Sequence, residues 1–266
     1  MEQPLPAERQ ARILEVLAER HAVRVSTLSE LLGVSEVTIR RDLEDLEGKG
    51  LLERTHGGAI PAQRMRAEPA YGEAAASMLH EKRAIGRAAA AMVQSGDTVF
   101  LNGGTTTLEV FRALEGRIRD ITIVTNHVGI ALESAERSVS VILVGGEYRP
   151  PSNSCVGSFA TDTIRKVFAG RAFLGIEGVS LRAGVTSPVA AEADVTRVMI
   201  EQTHGPVTLV ADHTKIGTVA DFAVAPITAV ADLITDVGMD PDYRDDLGRL
   251  GLNVVIAEAV GVPRGG

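Results

Sequence analysis

The stretch GVSEVTIRRDL, residues 33–43, sets Gly33 two positions ahead of Ser35 and then spaces Ile39 and Leu43 four residues apart. Gly33 suits the left-handed residue that stops one helix, and Ser35 suits the N-cap that starts the next. The chain therefore turns between two helices in about three residues, the spacing of a helix-turn-helix. Upstream, Ile13, Val16 and Leu17 fall at i, i+3 and i+4, which predicts an amphipathic helix over residues 9–20. A second helix is expected after Val25, capped by Ser26 or Thr27, with Leu28, Leu31 and Leu32 as its buried stripe. In the third helix Ile39, Leu43 and Leu46 share one face, which leaves Glu36, Thr38, Arg40, Arg41, Glu44 and Asp45 to the others. Beyond Gly48 and Gly50, LLERTHGGAI reads as two short strands around the turn His56-Gly57-Gly58, a hairpin wing.

The chain has 266 residues, 45% of them hydrophobic, and a formal net charge of -8. That length suits a small domain plus a larger one. Duplex DNA repels negative charge, but the local field at a contact surface decides binding. Residues 1–66 carry 10 Lys and Arg against 11 Asp and Glu, so most of the excess acid lies beyond them. The lone Cys155 cannot form an internal disulfide, and the start MEQPLPAERQ lacks the basic and apolar blocks of a secretory signal. No apolar run approaches the roughly 20 residues that cross a bilayer. The expectation is a cytoplasmic protein with no membrane partner.

Paired arginines on a helix can be a solvated face, with Glu36, Glu44 and Asp45 as local partners. The surrounding pattern points elsewhere. A three-helix unit with a tight turn and a Gly-Gly wing places its third helix in the major groove and its hairpin on the DNA backbone. Arg can pair two donors with guanine or a phosphate. The candidate DNA contacts are Ser35, Glu36, Thr38, Arg40 and Arg41 on the third helix, with Arg54, His56 and Gly57 on the wing.

Residues 61–78, with Pro61, Pro69 and Gly72 and little periodic apolar content, read as a connector. Beyond it, residues 82–93 are Ala-rich and helical, and the runs TVFLN, ITIVTN, VSVILVGG and PVTLVAD alternate with helix-like segments over 108–114 and 190–202. Buried strands alternating with helices make an α/β domain with a mostly parallel sheet, whose ligands bind at the carboxyl ends of the strands. The first strand ends in Asn102-Gly103-Gly104-Thr105-Thr106-Thr107 and runs into a helix. Glycines there allow close backbone approach, and helix-terminal N–H groups and hydroxyls suit a phosphate. Asn126, Gly146, Glu177, and Asp212 with Lys215 stand at other strand ends.

Residues 8–60, with VSEVTIRRDL and GLLERTHGGA, resemble the winged helix-turn-helix of the DeoR family of bacterial transcription regulators. LNGGTTT, VTN, VGG, FLGIEG, AEADVTRVM and ADHTKIG follow in the order of that family's C-terminal sensor, a domain akin to sugar-phosphate isomerases. The resemblance implies that Gly104, Thr105 and Thr106 hold a sugar phosphate, and that Asn126, Glu177, Glu192, Asp212 and Lys215 line the rest of the pocket. Asn102 stands where the family usually has Asp, Gly103 where it often has Ser, and Glu177 where it usually has Asp. An amide both donates and accepts where a carboxylate only accepts, so these departures imply either a different preferred pattern of sugar hydroxyls or a site that has drifted from phosphosugar sensing.

The expected organisation is a DNA-binding domain over 1–60, a linker over 61–78 and a sensor domain over 79–260. The expected function is an operator-binding regulator, a repressor of a carbohydrate operon, with a phosphorylated sugar as effector. It needs no cofactor, metal or catalytic residue, and two-fold operators imply an even-numbered homo-oligomer. The alternatives are an isomerase-like enzyme using Glu177, Asp212 and Lys215, and a binding module that acts through protein partners.

Overall fold

The computed structural model describes residues 5–20, 22–61, 63–64, 68–114, 119–135, 137 and 139–258. The expected domain limits at residues 1 and 260 lie outside these. The N-terminal unit runs α1 (Pro6–Arg20), β1 (Val23–Arg24), α2 (Val25–Leu32), α3 (Glu36–Gly48), β2 (Leu52–Arg54) and β3 (Gly58–Pro61). Gly33 takes φ 65° at the end of α2, and the Ser35 hydroxyl accepts from the Thr38 amide to cap α3. Ile13, Leu17, Leu28, Ile39, Leu43 and Leu46 close the small core. Two details of α2 differ from expectation. It starts at Val25 with no side-chain cap, because β1 pairs with β3 and delivers the chain directly into the helix. Leu31 is exposed rather than buried, since Leu28 already fills the core side of so short a helix.

The segment expected as a bare connector holds β4 (Gln63–Arg64) and α4 (Tyr71–Ala76). The larger unit follows with α5 (Leu79–Ala90), β5 (Thr98–Leu101), α6 (Thr105–Ala113), β6 (Thr122–Thr125), α7 (Val128–Ser134) and β7 (Ser140–Leu143). Next come β8 (Glu147–Arg149), β9 (Ser154–Val156), α8 (Ser158–Ile164), β10 (Arg171–Gly175), β11 (Gly178–Ser180), β12 (Gly184–Ser187) and α9 (Ala190–Glu201). The chain continues through β13 (Val207–Val210), β14 (Thr218–Val219), β15 (Phe222–Ala225), β16 (Asp232–Asp236), α10 (Pro241–Arg249) and β17 (Asn253–Ala257).

Seven strands form one parallel sheet in the order β17-β16-β13-β10-β5-β6-β7. Side chains alternate between its two faces: Val99 and Leu101 pack under α5 and α6, while Phe100 joins the core beneath α8 and α9. Both faces are buried, which is why the strands read as nearly continuous apolar runs. From β5 the chain winds first toward β7 and then, from β10, toward β17. The strand order therefore reverses between β5 and β10, the topological switch point at which open α/β sheets hold ligands. Asn102 follows β5, and Glu177 follows β10.

The two units share structure. Ile60 of β3 belongs to the core of the larger unit, and an added Cβ at Gly217 would lie 2.1 Å from its Cδ1. Glu53 of β2 is buried, accepting from Ser180 Oγ at 3.1 Å and the Arg182 amide at 3.2 Å. Burial pushes its carboxyl above the usual range, against the pull of those bonds.

Candidate functional site

The third helix presents its polar side to solvent. Arg41 is exposed and makes no ion pair or hydrogen bond among the described residues, whereas Arg40 pairs with Glu36 at 2.9 Å, one turn back. Thr38 is half-buried, and its hydroxyl and amide both bond Ser35 Oγ, so these two side chains set the start of the helix. Arg9 of α1 grips the buried carboxylate of Asp42, locking α3 against α1 from beneath. Arg54 reaches from the wing to Glu44 at 2.9 Å, which ties the hairpin to the same helix. His56 and Gly57, in the turn of the wing, sit against α10, with the His56 side chain exposed. The His56 amide donates to Asp246 of α10 at 2.6 Å, an added Cβ at Gly57 would lie 3.2 Å from Asp242, and Arg24 reaches that same carboxylate at 3.3 Å. A DNA phosphate at the His56 amide would have to displace Asp246.

The second site is a cleft of about 250 Å³ at the switch point. Gly103, Gly104, Thr105 and Thr106 line one side, and Glu177, Asp212 and Lys215 line others. Gly104 caps α6, so the first amides of that helix face the cleft carrying its positive dipole end. Asn126 and Glu192 line a deeper recess with Asn102, Gly103 and Ser154. Asn126 Nδ2 donates to the Cys155 carbonyl at 2.8 Å, while its Oδ1 is buried with no partner among the described residues. A buried orphan acceptor is costly and suits a ligand hydroxyl or a water.

Three expected ligand contacts take other roles. Thr107 is fully buried, and its hydroxyl is shared between the Asn102 and Gly104 carbonyls at 2.8 Å each, so it braces the loop from behind. Gly146 does not line the cleft. An added Cβ there would lie 2.4 Å from the Val156 carbonyl oxygen, so it is glycine to let β9 approach. Asn102 borders the recess, but its amide is spent on the protein. Nδ2 donates to the Gly175 carbonyl at 2.8 Å and to Thr196 Oγ1 at 3.1 Å, and Oδ1 accepts from the Gly175 amide at 2.8 Å. The amide thus clamps β5 to the end of β10, a pairing that a carboxylate could complete on only one side.

Electrostatics divide the cleft. Desolvation, then the neighbouring Glu192, push the Glu177 carboxyl up to about 8, against the pull of Lys215. Burial likewise raises the Glu192 carboxyl, and Arg149 counters it at 3.0 Å. Glu177 and Glu192 thus set carboxyl groups in the recess, while Gly104, Thr105 and Thr106 line the cleft together with Lys82, Asp212 and Lys215. Among the described residues no group of three or more His, Cys, Asp or Glu could hold a metal ion, and no helix is long and apolar enough to cross a membrane.

Sequence reasoning passed over Lys82, Glu68, Tyr71 and Arg149, which border or tie this cleft. Lys82 had a visible signal: it shares the buried stripe of α5 with Ile85 and Ala89, where a lysine needs a reason. Glu68 and Arg149 are 81 residues apart, and nothing local announces their pairing.

Residues 9–64 match the family described as DeoR-like helix-turn-helix domain, and residues 77–237 match the DeoR C terminal sensor domain. The chain belongs to the DeoR family. It is 37% identical over 253 residues to the HTH-type transcriptional regulator GlpR of Haloferax volcanii, covering 94% of this chain and 98% of that protein. It is 35% identical to the transcriptional repressor AccR of Agrobacterium fabrum, over 87% of this chain and 90% of the other. Against the putative aga operon transcriptional repressor of Escherichia coli O157:H7 the identity is 30%, over 94% and 93%. Among solved structures, ribose 5-phosphate isomerase A from Methanocaldococcus jannaschii aligns at TM-score 0.38 and 12% identity, over 51% of this chain and 53% of that one. The eIF2B beta of Chaetomium thermophilum aligns at 0.43 and 12%, over 97% and 88%. As a DeoR-family member the chain is a DNA-binding transcription regulator and not an enzyme.

Proposed function

We propose that this DeoR-family regulator is a repressor of a carbohydrate operon, relieved when its sensor domain binds a phosphorylated sugar. The observation that carries the reading is the Gly103–Thr106 loop. It opens a helix N-terminus onto the switch-point cleft, with Lys215 lining the same cleft and Glu177 and Glu192 in the adjoining recess. A dianionic phosphate fits the donor end, and sugar hydroxyls fit Glu177, Glu192 and the orphan Asn126 Oδ1. Arg41 on α3 is the side chain expected to contact operator DNA, from an even-numbered oligomer whose paired α3 helices meet symmetric half-sites.

Titration calorimetry of the full chain against a panel of phosphosugars and their unphosphorylated counterparts, with operator gel shifts beside it, tests this. A phosphosugar should bind, its unphosphorylated sugar should bind far more weakly, and bound ligand should lower operator affinity by about 5- to 150-fold. Thr106→Glu should abolish ligand binding and leave operator binding intact, because like charge enters the cradle. Equal binding of phosphorylated and free sugars would remove the phosphate from the reading.

A further inference from the structure

The cleft is roofed by the segment that joins the two units. Glu68, Tyr71, Ala74 and Ser77 border it, and each is tied to the sensor domain. Lys82, buried on α5, donates from Nζ to the Ala74 carbonyl at 2.5 Å and to the Ser77 carbonyl at 2.9 Å. Arg149 donates to Glu68 at 2.8 Å while also holding Glu192, and the Tyr71 hydroxyl lies 3.0 Å from His127 Nε2. On the side toward the wing, β4 pairs with β14, just past Lys215. On the other side the segment meets α5 through Met78, at φ 51°, a conformation that a residue with a side chain rarely adopts.

Lys82 is the distinctive tie. Its ammonium lines the same cleft as Gly103, Gly104, Thr105 and Thr106, yet its hydrogen-bond partners are two neutral carbonyls of the roof. A charged phosphate oxygen is a stronger acceptor than a neutral carbonyl, roughly twofold in hydrogen-bond strength. Burial pushes the Lys82 ammonium below its usual range against the attraction of Asp212, with Lys215 adding like charge, so an anion beside it is favoured. We propose that Lys82 is a ligand-sensing cation: an anion in the Gly103–Thr106 cradle draws its ammonium from the Ala74 and Ser77 carbonyls, and the released 68–77 segment reports occupancy toward the wing. This rests on the phosphosugar reading above, and it names the group that converts binding into motion.

Hydrogen exchange of amides in residues 68–77, measured on the full-length protein, tests it. The probes are ribose 5-phosphate, glucose 6-phosphate, fructose 6-phosphate and inorganic phosphate, with binding followed separately by calorimetry. A probe that binds should speed exchange of this segment by about tenfold or more. Lys82→Met should exchange fast without any probe, and adding one should change little. Binding to the wild-type chain with exchange unchanged or slowed overturns the proposal while leaving the phosphosugar reading intact. A full ligand response retained in Lys82→Met overturns it as well. Absence of binding by every probe removes the reading and, with it, the trigger proposed here. If Lys82→Met does not fold, the wild-type comparison still decides.

Discussion

Replacing Asn102 with Asp swaps an amide for a carboxylate of nearly the same shape at the switch point, and the structure sets the cost. The carboxylate can still accept from the Gly175 amide, now at 2.8 Å, but it loses the donation to the Gly175 carbonyl at 2.8 Å. The Thr196 hydroxyl, 3.1 Å away, can turn to donate instead and recoup part of the loss. Asn102 is 5% exposed, so the new charge is desolvated and faces a carbonyl oxygen. A buried group left without its partner costs about 1–3 kcal/mol, and desolvating the carboxylate adds to it, so ~2–4 kcal/mol is expected near neutral pH. Protonation restores a donor. The folded carboxyl is therefore raised above its unfolded value of about 3.9, and the penalty grows as pH climbs past that value. Urea unfolding of both proteins at pH 5 and pH 8 reads this directly. A variant as stable as the parent at pH 8, or an equal deficit at both pH values, would refute the clamp.

Gly103→Ser would put a Cβ 2.6 Å from that of Ser154, so the single change should cost about 1–3 kcal/mol. Adding Ser154→Gly should recover most of it, and strictly additive effects in the double-mutant cycle would dismiss the coupling. For Glu177 the folded carboxyl, at about 8, lies above its unfolded value, so its contribution is favourable in acid and is lost as pH rises toward 8. Glu177→Gln should flatten that part of the melting profile against pH, and an undiminished slope would point to another group. Arg41→Ala should weaken operator binding by roughly 1–3 kcal/mol, and Arg40→Ala by less, since Arg40 already holds Glu36 at 2.9 Å. Competition gel shifts that rank them in the opposite order would reassign the contact.

Local rules carried the sequence reading furthest. The Gly33 stop, the Ser35 cap and the Ile39, Leu43, Leu46 stripe are all properties of residues a few positions apart, and the structure has each of them. The turn from β5 through Gly103 and Gly104 into α6 is legible for the same reason. Roles that depend on distant partners are not. Thr107 looks like its neighbours until the Asn102 carbonyl is seen beneath it, and Gly146 looks like a ligand loop until Val156 is seen against it. From the sequence Asn102 faces a sugar, whereas the partner it serves in the fold is Gly175, 73 residues onward. β16 and β17 have little local signal, since ADLITD carries two aspartates and NVVIA is a short run at the sheet edge.

The placement of Ile60 and Glu53 bears on how this regulator melts and how it can be cut. The hairpin that finishes the DNA-binding unit also supplies an apolar side chain and a buried carboxylate to its neighbour, so neither unit is complete alone. Severing the chain after residue 64 would strand Ile60 in water on one fragment and open the surface around Gly217 and Ser180 on the other. The intact protein should accordingly lose both units in one calorimetric transition, and a fragment spanning residues 1–64 should melt below the parent and associate through its uncovered wing.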